Sequence, residues 1–185
     1  MRLFVSVDLS PALHEAVAEL QGEFADASGL NLTDPSQPHV TVKFLGDVDP
    51  GRESEVTETL ATAVEGADVE PFEAEFGGLG VFPDLSYISV VWLGVRNGAT
   101  ELTRLHEAVE SAFVERGFDP EDHEFTPHVT LARMEHAGGK ELVQELVRET
   151  DPTVGQMRVE EVRLTESELG PSGPEYTTLA RVPLG

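Results

Sequence analysis

Cysteine is missing from this 185-residue chain. That excludes disulfides, thiolate nucleophiles and cysteine-based zinc sites together, and leaves the redox compartment open. Lysine is nearly missing too. Only Lys43 and Lys140 occur, and arginine supplies the rest of 12 cations set against 35 acids, for a formal net charge of −23. No apolar run approaches the ~20 residues needed to span a bilayer. The opening residues 1–8 meet an acid and then Ser10-Pro11 too soon for a secretory signal. A cytoplasmic protein that does not engage membranes is the expectation, and a monomer.

The acids are scattered along the chain rather than gathered in a tail. A chain this acidic repels nucleic acid at low salt. One reading is work in concentrated salt, where the Debye length falls to about 3 Å at 1 M and the repulsion is screened. The surface charge would then report the solvent and not the substrate. The other reading is a special acidic partner. Hydrophobic content of 39% suits a globular protein, and the length suits one substantial core or two small lobes.

What is present is a phrase used twice. Gln37-Pro38-His39-Val40-Thr41-Val42-Lys43-Phe44 is echoed by Thr126-Pro127-His128-Val129-Thr130-Leu131-Ala132-Arg133. Apolar residues alternate with the His and Thr, which predicts a strand with one buried face. Side chains two apart on a strand share a face, so each copy presents an imidazole beside a hydroxyl.

The surroundings repeat as well. Residues 2–8 alternate as a strand. Ser10-Pro11 and Asp49-Pro50 each provide a capping side chain and a first-turn proline. Helices are predicted from 11 to the mid-twenties, from 50 to about 65, from 98 to about 116, and over 138–148. Further strands are expected at 71–76, 86–95, 154–159, 160–166 and 176–182. The segment Gly77-Gly78-Leu79-Gly80-Val81-Phe82-Pro83 lacks the Lys-Ser/Thr of a phosphate loop and is read as a turn. Strand, helix, His–Thr strand and helix recur in each half. This implies a single domain over 1–185 with pseudo-repeat halves at about 1–84 and 85–185. The fold class is α+β: two lobes related by a pseudo-two-fold axis, each a mainly antiparallel sheet with helices outside, and a cleft between them.

The paired His-x-Thr phrases resemble the two-histidine phosphoesterase superfamily. The words around them resemble its RNA 2′,3′-cyclic phosphodiesterase branch, once called 2′-5′ RNA ligases. These words are RLFVSVDL, PHVTVKFLGDV, GGLGVFP, VVWLGV, RGFDPEDHEFTPHVTLAR and SGPEYTTLARVPL, in the branch's order over nearly the whole chain. One departure stands out: Gln37-Pro38 occupies the place where the family reads Asn-Leu. The resemblance implies hydrolysis of an RNA 2′,3′-cyclic phosphate end to a 2′-phosphomonoester, without metal or cofactor. It also implies, for some members, joining of tRNA halves through a 2′-5′ linkage without ATP. By the same analogy His39 is the general acid and His128 the general base.

The chemistry suits the residues. Histidine titrates near working pH and can give or take a proton on either side of a phosphate. Thr41 and Thr130 would donate to its non-bridging oxygens. Lys43 continues the His39–Thr41 face and is a candidate phosphate contact. Arg133 falls on the opposite face by strict alternation and reaches a phosphate only if the strand bulges there. Tyr176 and Phe82 are candidates for stacking a base, with core packing the favoured reading for Phe82. His14 and His106 are expected on helices as surface or packing residues. His123 and His136 show no metal-ligand spacing. Two other readings stay open: the same site acting on a cyclic ADP-ribose phosphate or a 2′-5′ oligonucleotide, or a non-catalytic RNA-end binding module.

Overall fold

Alternation of apolar residues builds a sheet here because one face must be covered and the other need not be. The computed structural model describes residues 1–185. Nine strands form one sheet: β1 (Arg2–Asp8), β2 (Leu30–Leu32), β3 (His39–Asp47), β4 (Phe72–Asp84), β5 (Tyr87–Val95), β6 (His128–Met134), β7 (Thr153–Val159), β8 (Glu161–Gly170) and β9 (Gly173–Pro183). Four helices join them: α1 (His14–Gly22), α2 (Glu53–Ala67), α3 (Ala99–Glu115) and α4 (Lys140–Glu149). The fold class is α+β, as the sequence predicts, and the strand pairings are antiparallel.

The strand order is β7-β4-β5-β6-β3-β1-β8-β9, with β2 added beside β6. The order is symmetric about the β6–β3 seam. On one side lie β3, β1, β8 and β9; on the other β6, β5, β4 and β7. The lobes are therefore not the halves 1–84 and 85–185. β4 forms a hairpin with β5 and so belongs with His128. The last two strands return to the free edge of β1 and belong with His39. An edge strand left bare would expose a row of unpaired backbone groups, and the chain's end supplies the cover.

The covered face is the core. Leu3, Val5 and Val7 of β1, Val40 and Val42 of β3, and Val129 and Leu131 of β6 all join one buried cluster with the helices. α2 and α3 pack on each other, α3 reaching β3 and α2 reaching β8 and β9, while α1 touches β6 and β7 and α4 touches β4. The predicted caps form: Ser10 Oγ accepts from the Ala12 N–H, and Asp49 Oδ1 accepts from the Gly51 N–H at 2.8 Å. Each such cap contributes about 1 kcal/mol.

The glycine-rich segment is no turn. It lies inside β4, where the register against β5 slips between Phe76 and Leu79. Its glycines answer a packing need. A methyl group on Gly80 would overlap the indole of Trp92 on β5. The reversal comes later, at Asp84-Leu85-Ser86, where Asp84 Oδ1 accepts from the backbone of Ser86 and Tyr87. No helix is long and apolar enough to cross a membrane.

Candidate active site

At the centre of the sheet β3 and β6 meet through the pair Val40–Val129. Running that antiparallel register one residue either way sets His39 across from Thr130 and Thr41 across from His128. All four side chains then share the face turned away from the helices. The two imidazoles occupy diagonal positions, which in such a ladder lie about 7–8 Å apart, with their Cβ atoms somewhat closer.

Both rings are held alike. His39 Nδ1 bonds to the Gln37 carbonyl at 3.1 Å, and His128 Nδ1 to the Thr126 carbonyl at 2.6 Å. A carbonyl only accepts, so each Nδ1 carries the proton. Each Nε2 is left with its lone pair and no protein partner. The intervening proline, Pro38 or Pro127, fixes φ and so aims the preceding carbonyl back at the ring. Aromatic rings close on both. Phe4 and Tyr176 lie 5.0 and 5.2 Å from the His39 ring. Phe82 and Trp92 lie 5.0 and 5.9 Å from that of His128.

Burial pushes the pKa of His39 below its usual value; the Gln37 carbonyl and the Asp8 carboxylate pull it back up, and Arg133 pushes it down again. Burial also lowers His128; the Thr126 carbonyl opposes this, while His39, Arg133 and His123 add to it. Both shifts favour the neutral rings in the free protein, and an anion between them would favour their protonated forms. Burial raises the Tyr176 phenol above its usual value, opposed by Arg133 and aided by Asp34.

The candidate phosphate contacts change places. Strict alternation assigned Lys43 to the histidine face and Arg133 to the opposite one, and in both cases a bulge reverses it. Opposite β1, the register on β3 slips between Thr41 and Lys43. Opposite β5, the register on β6 slips between Thr130 and Ala132. One extra residue flips every later side chain. Lys43 is consequently 1% exposed, its ammonium 2.6 Å from Glu110 Oε1 on α3 and 2.9 Å from the Asp119 carbonyl. It is a buried anchor, not a substrate contact. Arg133 comes out exposed on the side of the imidazoles, close enough to bias His39, His128 and Tyr176. Phe44 takes the matching position on β3 and is 60% exposed.

The other histidines stay clear of the cleft. His106 is buried, stacked on Phe125 with ring centroids 4.1 Å apart and bonded through Nδ1 to the Val42 carbonyl. His14 bonds to the Leu9 carbonyl, His123 pairs with Asp122, and His136 Nδ1 accepts from the Gly138 N–H. No group of three or more His, Asp or Glu side chains is placed to hold a metal ion. A cavity of about 310 Å³ lies beyond the Asp8 end of β1. Its arginines are already paired, Arg158 with Glu160 and Arg163 with Asp8 and Glu161.

Residues 7–171 match the family model for the 2′-5′ RNA ligase superfamily. The chain belongs to that superfamily. It is 38% identical over 181 residues to an RNA 2′,3′-cyclic phosphodiesterase of Methanothermobacter thermautotrophicus, covering 97% of this chain and 96% of the relative. It is 41% identical over 145 residues to one of Aeropyrum pernix, covering 78% and 80%. The crystal structure of TT0787 from Thermus thermophilus superposes with a TM-score of 0.81 at 29% identity, covering 100% of this chain and 98% of that one.

One residue of this superfamily member's cleft, Trp92, escapes the sequence reading, and Phe82 takes the less favoured of its two expected places. Phe82 does not sink into the core but meets the edge of His128 at 86°. Trp92 sits beside it, and its Nε1 is the only buried side-chain polar atom without a partner. An unmet buried donor costs about 1–3 kcal/mol. The pairing of the chain's only tryptophan with a glycine-rich segment was the available signal.

Proposed function

We propose that this protein opens the 2′,3′-cyclic phosphate at an RNA 3′ end to a 2′-phosphomonoester, with His39 as general acid and His128 as general base. One observation carries the reading: two imidazoles on one sheet face, each with Nδ1 tied to a carbonyl and Nε2 open to a phosphate between them. The name shared by the relatives, RNA 2′,3′-cyclic phosphodiesterase, supports the substrate.

His128 Nε2 takes a proton from water as its oxygen attacks phosphorus. The P–O3′ bond breaks, and the departing O3′ takes the proton from His39 Nε2. Thr41 and Thr130 donate to the non-bridging oxygens as charge builds on them. Arg133 adds a positive charge at the rim, and Tyr176 and Phe82 offer faces for the adjoining base. With the 5′-hydroxyl of a second RNA in place of water, the same proton transfers join two ends through a 2′-5′ linkage without ATP; tRNA halves are a suitable pair. The whole chain, 1–185, acts as one unit and as a monomer. Its acid surface reflects work in concentrated salt.

The test is incubation with a 2′,3′-cyclic nucleotide in high salt with EDTA, reading the product by phosphorus NMR. The 2′-monophosphate should form. His39→Ala and His128→Ala should each lose about 10²–10⁴-fold in kcat while staying folded. An active double variant, or a 3′-monophosphate product, would overturn the assignment. Because both rings are shifted below the usual value, the kcat/KM profile should be a bell centred on the acid side of pH 6.5.

A further inference from the structure

The two halves of the site are near copies, and a symmetric site has no way to decide which ring carries the proton in. The strands flanking the two histidines differ at one decisive place. On β1, Asp8 lies directly across from His39. On β5, the residue directly across from His128 is Gly94. The ladder positions correspond: Ser6 faces Thr41 just as Trp92 faces Thr130. The difference is locked into the backbone, because a Cβ at Gly94 would stand 2.9 Å from the Gly77 carbonyl oxygen. No carboxylate can be set beside His128 from that strand.

We infer that Asp8 is a positioning residue of the reaction: its carboxylate, set across from His39 and matched by a glycine across from His128, breaks the two-fold symmetry and makes His39 the proton donor. The inference rests on the two-histidine reading above and deepens it. Directly opposed residues in an antiparallel pair have Cβ atoms about 4.5–5.5 Å apart on one face. Asp8 therefore faces the His39 ring without replacing the Gln37 carbonyl as its hydrogen-bond partner. The carboxylate is fixed from its other side. Ser6 Oγ donates to Oδ1 at 2.8 Å, and Arg163 Nη1 to Oδ2 at 3.0 Å. Ser6 is in turn 3.1 Å from Thr165 Oγ1, and Arg163 is shared with Glu161.

Among the other charges only His123 distinguishes the rings: it disfavours protonation of His128 alone, in the same sense as Asp8 favours that of His39. Arg133 opposes protonation of both histidines, and so acts on the two alike. His128 and His39 repel each other's charge. Tyr176 is neutral and its phenol is pushed up, not down. Asp8 alone is an anion that acts on one ring. An opposite charge at this range favours the cationic ring, and Arg163 sets how strongly by neutralising part of the carboxylate.

Two variants with opposite expected signs test it on the full chain, with kcat/KM followed against pH on a 2′,3′-cyclic nucleotide. Asp8→Asn keeps the shape and an acceptor for Ser6 but removes the charge. The descending limb should move to lower pH, so that activity falls about 3–10-fold near pH 7.5 and returns to the parent level on the acid side. Arg163→Met leaves the carboxylate unneutralised, and the same limb should move to higher pH. The His39 ring followed by proton NMR should move the same way in each variant, with His128 little changed. A uniform loss at every pH, or a limb that stays put in both variants, would overturn the role of Asp8. If His39→Ala remained active, the underlying two-histidine reading would fail instead, and the two failures are thus distinct.

Discussion

The His39 half and the His128 half of the cleft are built to one plan and finished differently. Both have a proline before the ring, a carbonyl two residues back holding Nδ1, a threonine two residues on, a bulge after it and two aromatic rings against the imidazole. The shared features are those that any acid–base pair around a phosphate needs. The differences fall where the two roles diverge. Asp8 faces His39 where Gly94 faces His128. Past the bulges, Lys43 and Phe44 stand where the other half has Ala132 and Arg133. One half thus turns its cation inward to hold the fold, and the other turns its cation out toward the cleft.

The sharpest way to break this comparison is to remove the rings one at a time and vary the leaving group. With a cyclic nucleotide both His39→Ala and His128→Ala should lose about 10²–10⁴-fold. With a nitrophenyl phosphodiester, whose leaving group needs no proton, His39→Ala should recover most of its rate and His128→Ala should not. Equal recovery would mean that the halves are interchangeable. Next come the threonines. Thr41→Val and Thr130→Val should each lower kcat by about 10²-fold, as the loss of a donor to developing charge does. A large effect at only one would show that the phosphate sits off centre.

Lys43 should report on stability instead. Lys43→Met leaves Glu110, with Glu121 3.9 Å from the old ammonium position, without a counter-ion. Both acids keep some solvent contact, so the loss in a denaturant melt at pH 7 should be about 2–3 kcal/mol, below the fully buried case. KM should not change. Burial pushes the Glu110 carboxyl up, but Lys43 and the Glu121 N–H more than reverse this and hold it below its ordinary 4.5. A depressed carboxyl contributes stability above its unfolded pKa and loses it as pH falls through the folded one. Variant and parent should therefore converge in acid. If the gap persisted there, the ion pair would not be its source.

Arg133→Met should act on both halves at once. KM should rise about tenfold, the value of one modest charge contact, and both limbs of the pH profile should move up because a cation near both rings is gone. A shift of one limb only would tie Arg133 to a single half. The smallest effect concerns the whole surface. With a net charge of −23, kcat/KM on RNA ends should rise severalfold with salt up to molar levels, the reverse of an ordinary basic RNA binder. A fall over that range would mean that contacts in the cleft outweigh the global repulsion.

Much of this was legible in the residues, because the features that decide it are local. A proline, a histidine and a threonine at fixed spacing define a strand face, and Ser10-Pro11 and Asp49-Pro50 announce their helical turns. What stayed hidden depends on neighbours far along the chain. The extra residue after each threonine appears only as a slip against β1 or β5, so alternation assigned Lys43 and Arg133 to each other's faces. The glycines of residues 77–83 looked like a turn because what they make room for, Trp92, is on the next strand. The lobe boundary was misplaced because β8 and β9 complete a sheet begun at the first residue, and no local pattern records which edge a late strand will cover. Trp92 entered the cleft unannounced, and Phe82 against the favoured reading, for the same reason: an aromatic among apolar residues does not reveal which face of its strand will be left open.

The seam between the halves has one further consequence. β3 and β6 are in register through the single rung Val40–Val129, and both valines are fully buried beneath it. The aperture between the rings is therefore governed from the dry side of the sheet, by two methyl-bearing side chains that never meet the substrate. Bulk added or removed there would widen or narrow the catalytic gap like a shim under a joint, altering the fit to a nucleotide while every reacting group is retained.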